Sequence, residues 1–160
     1  MAPAVDAGTA TSTLSITATV ANSCAFSSGS YGPVDFSSLV NTGGNPTVPA
    51  ISINCTVSAP YTVSAAPGNV GTCLTADVAR SVAASTLKIG YFLYLGATGV
   101  NVWCDGTSGT SKYTGTGTGS SQAIAYRIFV PGYAADPTNV GGLPYAAGTY
   151  TDTITLTASF

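Results

Sequence analysis

Two residue types that supply much of enzyme chemistry are missing from this sequence. It contains no histidine and no glutamate, and only 6% of its 160 residues are charged, against roughly 25% in an average soluble protein. Without them, a Ser–His–Asp triad, a Cys–His pair or a two-glutamate glycosidase site cannot be built. The six acidic residues are aspartates scattered over turns and strand edges, so we expect no enzyme, no cofactor and no metal site: Asp6, Asp35, Asp77, Asp105, Asp136 and Asp152.

Positive charge and long apolar runs are scarce as well. The four basic residues (Arg80, Lys88, Lys112 and Arg127) form no basic patch, which argues against a nucleic-acid partner. No apolar run of about 18 residues is present, so we expect no membrane insertion. The start of the chain lacks a basic and then apolar leader, so we expect any export signal to have been removed already. A net charge of −2 gives little repulsion between copies, which favours self-association.

The four cysteines predict disulfides rather than a zinc site. No CxxC pair and no histidine is available for zinc, and an even count fits a disulfide framework. Three pairings are possible, and loops of similar length favour Cys24–Cys55 and Cys73–Cys104. Each bridge would add roughly 3–4 kcal/mol to stability. Buried free thiols are the alternative; disulfides would indicate an oxidising compartment.

Strand signals follow one another along the chain, separated by clusters of Gly, Pro, Asn and Ser. Residues 75–85 alone favour a short helix, and TGTGTGS at 114–120 is typical of a flexible turn, since it lacks the lysine and the helix of a phosphate loop. Many short strands joined by such turns predict an antiparallel sandwich. The predicted strands are TVPAISINCTV (47–57), APYTVSAA (59–66), KIGYFLYL (88–95), GVNVWC (99–104), QAIAYRIFV (122–130) and GTYTDTITLTASF (148–160).

The N-terminal segment carries a further strand signal in Leu14, Ile16, Ala18 and Val20, which alternate with threonine and serine. An apolar strand at a terminus has to find a sheet, in its own domain or in another chain. Residues 13–21 are therefore either the domain's own first strand or a strand donated to a neighbour. In a mixed alternative, residues 4–13 are donated and residues 15–24 form the first strand.

Longer motifs add a resemblance to a known family. The run YFLYLGATGVNVWCDGTSGTSKYTGTGTGSSQAIAYRIFVPG from Tyr91, followed by AAGTYTDTITLTASF, resembles the spore coat protein U family, which includes archaic chaperone–usher pilins. The likeness extends to the alternating segment before Cys24, to Asp35–Phe36 and to ISINC. It covers nearly the whole chain and is least clear over residues 60–85. Cys104 departs from the pattern, because many relatives have no cysteine there.

The resemblance implies an all-β, immunoglobulin-like antiparallel sandwich that is incomplete and is completed by a donor strand from a neighbouring subunit. Residues 1–20 would form the donor extension, with an alternative boundary near residue 13, and residues 21–160 the pilin domain. An apolar groove would lie beside the C-terminal strand. The implied donor residues are Leu14, Ile16, Ala18 and Val20, and the implied edge of the acceptor groove is Ile154, Leu156, Ala158 and Phe160.

The implied function is that of a structural pilus subunit. Identical subunits would join head to tail into a cell-surface fibre for attachment and biofilm formation. A periplasmic chaperone and an outer-membrane usher would be the partners during assembly, as the protein passes through the periplasm to the extracellular side. The alternative is a self-completed secreted adhesin or coat protein that binds carbohydrate or abiotic surfaces through exposed tips such as Tyr31 or Tyr133.

Overall fold

The computed structural model describes residues 8–68, 79–82, 88–136, 139 and 141–160, with the backbone alone for 79–82. The described residues form β-strands and no helix, so the all-β prediction is confirmed. The strands are β1 (Cys24–Phe26), β2 (Ile51–Cys55), β3 (Pro60–Pro67), β4 (Ala79–Val82), β5 (Lys88–Leu95), β6 (Tyr113–Thr116), β7 (Ser121–Ile124), β8 (Tyr126–Phe129) and β9 (Ile154–Ser159).

The strands pair antiparallel in three sheets, in the orders β1-β2-β7, β6-β3-β9 and β4-β5-β8. β7 and β8 were expected as one strand over residues 122–130. They separate at Ala125, whose carbonyl oxygen accepts a hydrogen bond from the Gly96 N–H at 2.8 Å. β7 pairs with β2 whereas β8 pairs with β5. A continuous apolar run therefore changes sheets in its middle.

The two ends of the molecule can be assigned from the strand directions. Cys24 lies opposite Cys55, and the turn after β2 leads directly into β3, whose first half pairs with the last residues of β9, including Ser159. We call this end the lower pole. β9 begins at the other end, the upper pole, where Ile154 lies opposite Pro67. The chain therefore enters β1 at the lower pole, and β9 runs from the upper to the lower pole.

The core contains Trp103 and the predicted disulfide. The Trp103 side chain is 1% exposed, and its Nε1–H donates to the Val63 carbonyl oxygen at 2.9 Å, which satisfies the buried indole. Cys24 and Cys55 are bonded, as predicted. Cys104 is also disulfide-bonded. Its proposed partner Cys73 lies outside the described residues, so that pairing stays a prediction.

Three local expectations were wrong. Residues 79–82, inside the segment expected to be helical, form β4, because β5 supplies a backbone partner along that whole stretch. Residues 114–116, expected as a flexible turn, belong to β6. Gly115 there lies under the Tyr61 ring, where an added Cβ would come within 2.5 Å of the hydroxyl oxygen. The strand expected over residues 99–104 is reduced to single bridges at Val102 and Trp103.

Candidate functional site

β9 has a free edge, and this edge is the first part of the candidate site. Its residues Ile154–Ser159 pair with β3 along one side. No strand among the described residues pairs with the other side of this stretch, because β9 ends the sheet order β6-β3-β9. A free edge presents unpaired backbone N–H and C=O groups that can pair with an added strand. The molecule therefore carries an open position beside β9.

The side chains of β9 divide cleanly between two faces. Ile154, Leu156 and Ala158 are half-buried and pack against the core, whereas the intervening threonines and serine are exposed. Phe160, which follows the strand, is 55% exposed. Apolar residues that face the core without being buried indicate that part of their cover is missing.

A groove of about 1240 Å³ opens beside this strand. One wall comes from the segment 28–41, and the other from the segment 145–156, which includes Ile154 and Leu156. The floor is made of apolar and aromatic residues from the core strands, and Phe26 of β1 also lines it. The floor residues are Ile51, Ile89, Tyr91, Leu93, Trp103, Tyr126 and Ile128.

Hydrogen bonds fix the groove wall formed by residues 145–156. The Tyr91 hydroxyl donates to Asp152 Oδ2 at 2.6 Å, while Asp152 Oδ1 accepts from the backbone N–H groups of Gly68 at 3.1 Å and Thr153 at 2.7 Å. Burial is the main cause that raises the pKa of Tyr91, and its bond to Asp152 adds to the effect. The Tyr91 hydroxyl therefore stays neutral, and the wall is tied to β3 and β5.

Two further tyrosines of the groove also donate hydrogen bonds within the protein. Tyr126 donates to the Pro49 carbonyl oxygen at 2.7 Å, and Tyr31 donates to the Ser52 carbonyl oxygen at 3.2 Å. Burial raises the pKa of Tyr126 to about 12, so it too is neutral at physiological pH. The floor is thus uncharged and suited to an apolar strand. Tyr31 is half-buried rather than an exposed tip, which corrects the expectation for this residue.

The leader, residues 8–23, is the second part of the site. All of its described residues are exposed and none belongs to a strand. Its large apolar side chains Leu14, Ile16 and Val20 are 85%, 86% and 81% exposed. β1 begins at Cys24, so no strand covers residues 13–21 in this structure, and the boundary of the leader stays a prediction. β2 ends opposite Cys24, and the bonds from Thr56, which follows it, to the leader reach only its last residues.

Thr56 anchors the point where the leader leaves the domain. Its backbone N–H donates to the Ser23 carbonyl oxygen at 2.9 Å, and its hydroxyl oxygen accepts from the Ser23 N–H at 3.1 Å. The same hydroxyl lies 3.3 Å from the Ala21 carbonyl oxygen. The leader therefore departs from a fixed position at the lower pole.

Comparison with known proteins identifies the family of this chain. The family model for the Spore Coat Protein U domain matches residues 10–157. The chain belongs to this family. The match covers the exposed leader from residue 10, strands β1 to β8 and β9 as far as residue 157, so the Spore Coat Protein U domain includes the leader and the groove.

A solved structure supports the fold of this Spore Coat Protein U domain. It is similar to one chain of the CsuC–CsuE chaperone–tip adhesion subunit pre-assembly complex from the archaic chaperone–usher Csu pili of Acinetobacter baumannii. The TM-score is 0.56 at 18% sequence identity, over 89% of this chain and 41% of that chain. The chain thus spans about two fifths of the length of that chain, and at this identity the likeness concerns the fold. No curated protein sequence matches the chain.

Membership of the Spore Coat Protein U family points to a structural, non-enzymatic protein. The described part of the chain holds no group of three or more His, Cys, Asp or Glu side chains that could bind a metal ion. It also contains no helix long and apolar enough to cross a membrane.

In this structure the predicted donor residues of the leader and the predicted acceptor edge at β9 do not contact each other. Ile154 and Leu156 line the groove and Ala158 continues the same face, but the leader lies outside the groove of its own chain. Sequence reasoning missed the opposite wall, above all Tyr31 and Phe36, whose ring lies 5.4 Å from that of Tyr91. The Asp35–Phe36 pair was part of the family likeness, but an irregular segment has no periodicity from which its role could be inferred.

Proposed function

We propose that this domain is a subunit of a chaperone–usher pilus and polymerises by donating its leader to the groove of the next subunit. The observation that carries the proposal is that one chain has two apolar surfaces in need of cover, the alternating leader and the groove beside β9. Family membership and the Csu pilus neighbour support the same assignment. The donor residues are Leu14, Ile16, Ala18 and Val20, and the acceptor edge is Ile154, Leu156, Ala158 and Phe160.

Docking would bring a gain in free energy that offsets the cost of ordering the leader. Burying a Leu- or Ile-sized side chain contributes roughly 1.5–3 kcal/mol, and each strand-to-strand hydrogen bond adds about 1 kcal/mol. Leu14, Ile16 and Val20 are almost fully exposed before docking, so they would realise most of this gain. The groove floor is uncharged, and the charged residues of the lining are Asp35 and Asp152 on its walls.

The polar faces of the two segments match as well. The residues between the donor side chains are threonines and serine, as are the exposed residues of β9. With the apolar side chains in the groove, the leader would extend this hydroxyl-rich outer face by one more strand. Docking would therefore cover both apolar surfaces without exposing a new one.

The two poles show how neighbouring subunits would be arranged in the fibre. If the leader of one copy runs antiparallel to β9 of another, Val20 lies at the upper pole of the acceptor, near Ile154. The donor's own lower pole, where the leader is anchored, then lies above the acceptor's upper pole. Each copy keeps a free groove or a free leader, so the contact is heterologous and builds an open fibre.

The groove also accounts for partners during assembly. An exposed apolar groove beside an unpaired strand edge promotes aggregation unless it is covered. A periplasmic chaperone would cover it until an outer-membrane usher brings the next leader. The product would be an extracellular homopolymer on the cell surface that serves attachment and biofilm formation.

Two complementary variants test the proposal. Ile16→Asp removes a donor side chain and leaves the groove intact, whereas Leu156→Asp blocks the groove and leaves the leader intact. We expect each variant alone to stay monomeric by size-exclusion chromatography, and an equimolar mixture to form a dimer and no larger species. Thr17→Asp is the matched control, because Thr17 alternates with Ile16 and would face outwards; it should polymerise like the wild type.

Intact-mass analysis of the Cys24–Cys55 bridge and circular dichroism would establish that both variants are folded. Wild-type-like polymers of Ile16→Asp, or a mixture of folded variants that stays monomeric, would contradict the proposal.

A further inference from the structure

We infer that the leader can also enter the groove of its own chain, and that strand direction then differs from that in the fibre. A leader parallel to β9 closes the molecule, whereas an antiparallel leader extends the fibre. This inference rests on the proposed function, in so far as the same leader and the same groove meet in both states.

The anchor at the lower pole dictates the parallel direction. Ser23 is held by Thr56 at this pole, which is also the pole where β9 ends. To reach its own groove the leader has to turn back here, so that Val20 stays low and Leu14 lies higher. The chain then runs downwards from Leu14 to Val20, in the same direction as β9 from Ile154 to Ser159.

The alternation of the leader fits this reversal. Cys24 and Phe26 are half-buried while the residue between them is exposed, and Phe26 lines the groove. A three-residue turn over residues 21–23, a common hairpin length, would place Val20 opposite Cys24 with both side chains on the same face. Asn22 in that turn tolerates the left-handed backbone that such turns require. The same four apolar side chains therefore face the core in both states.

The leader is also long enough. Residues 8–20 span about 40 Å when extended, at roughly 3.3 Å per residue. The strand Ile154–Ser159 needs only about 20 Å by the same measure. The extended leader is therefore longer than the strand edge that it would cover.

Concentration decides between the two states. A tethered leader meets its own groove at an effective concentration in the millimolar range, far above that of other copies in a dilute solution. Parallel pairing is slightly less stable per residue than antiparallel pairing. At high protein concentration the leaders of other copies compete with the tethered leader, so the antiparallel fibre is favoured. A parallel leader from a second copy brings two lower poles together, and this contact can be reciprocated as a closed two-fold dimer. Parallel docking thus ends growth in either case.

Cysteine pairs report the direction. V20C with F160C is close in the parallel state, whereas V20C with I154C is close in the antiparallel state. Under mild oxidation of dilute protein, we expect the first pair to give a crosslinked monomer, in a yield that does not fall on dilution. The second pair should give a ladder of multimers that grows with concentration. T19C with F160C is the control, because Thr19 alternates with Val20 and would face outwards.

Each outcome separates the inference from the function on which it rests. If V20C with I154C forms ladders while V20C and A18C both fail to crosslink to F160C at any dilution, the inference is wrong and the proposed function stands. A18C detects a shift of two residues on the same face. If none of these pairs crosslinks in folded protein, the leader does not enter the groove and both are overturned. Peptide mapping by mass spectrometry would confirm that the native Cys24–Cys55 bridge is retained.

Discussion

β3 and β9 lie side by side in one sheet and alternate apolar residues with mainly small or hydroxyl-bearing ones in the same way, yet they are buried to different extents. The inward residues of β3 (Tyr61, Val63 and Ala65) are at most 2% exposed, whereas those of β9 are only half-buried. β3 has a partner on each side, and β9 has one. The leader has the same alternation, no partner, and side chains more than 80% exposed. The number of neighbours, rather than the pattern, sets the burial.

The largest expected effect comes from placing a charge at an inward-facing position of each strand. Val63→Asp buries an unpaired carboxylate in a strand with two neighbours, and we expect a loss of at least about 4 kcal/mol, enough to prevent folding. Leu156→Asp places it at the open groove, where water still reaches the strand, and the chain should fold. Urea unfolding followed by circular dichroism compares the two, and equal losses of stability would mean that β9 is not an open strand.

A smaller effect is expected where β6 meets β3. Gly115→Ala would bring a Cβ within 2.5 Å of the Tyr61 hydroxyl oxygen. The crowding should lower the free energy of unfolding by about 1–3 kcal/mol without altering assembly, because the groove lies on the side of β9. Thermal unfolding and size-exclusion chromatography measure the two properties. Gly148→Ala is the control for stability, since an added Cβ there meets no atom closer than 3.9 Å. Loss of assembly in Gly115→Ala would show that β6 also takes part.

The smallest effect concerns the alkaline limit of stability. The pKa of Tyr126 is raised from 10.0 to about 12 by burial. A raised pKa means that the folded state keeps its proton more tightly, so the contribution is complete below pH 10 and is lost as the pH rises towards 12. Tyr126→Phe should flatten the fall in stability over this range, as measured by urea unfolding at stepped pH. An unchanged slope would mean that the Tyr126 hydroxyl is not responsible.

Local patterns predicted much of the molecule. The run KIGYFLYL coincides with β5 from Lys88 to Leu95, the Cys24–Cys55 bridge is present, and the inward face of β9 was identified from its alternation. These features depend on neighbouring residues or on cysteine count, which a sequence displays directly.

The features that were missed depend on partners distant in the chain. The break at Ala125 arises because β2 pairs with the first part of one apolar run and β5 pairs with the next part. β4 is a strand because β5 lies beside it. The groove wall at residues 28–41 is irregular, so no period reveals which of its side chains face inwards. A free edge is likewise a statement about a missing neighbour, which alternation alone does not encode.

Amide hydrogen exchange along β9 tests most directly whether its open edge receives a leader. Ile16→Asp provides a monomer with a vacant groove, and wild-type polymer provides the filled state. The account predicts that amides between Ile154 and Ser159 that point away from β3 exchange rapidly in the monomer and become strongly protected in the polymer. Amides bonded to β3 should be protected in both. Protection of the outward amides in the monomer, or their continued rapid exchange in the polymer, would contradict the account.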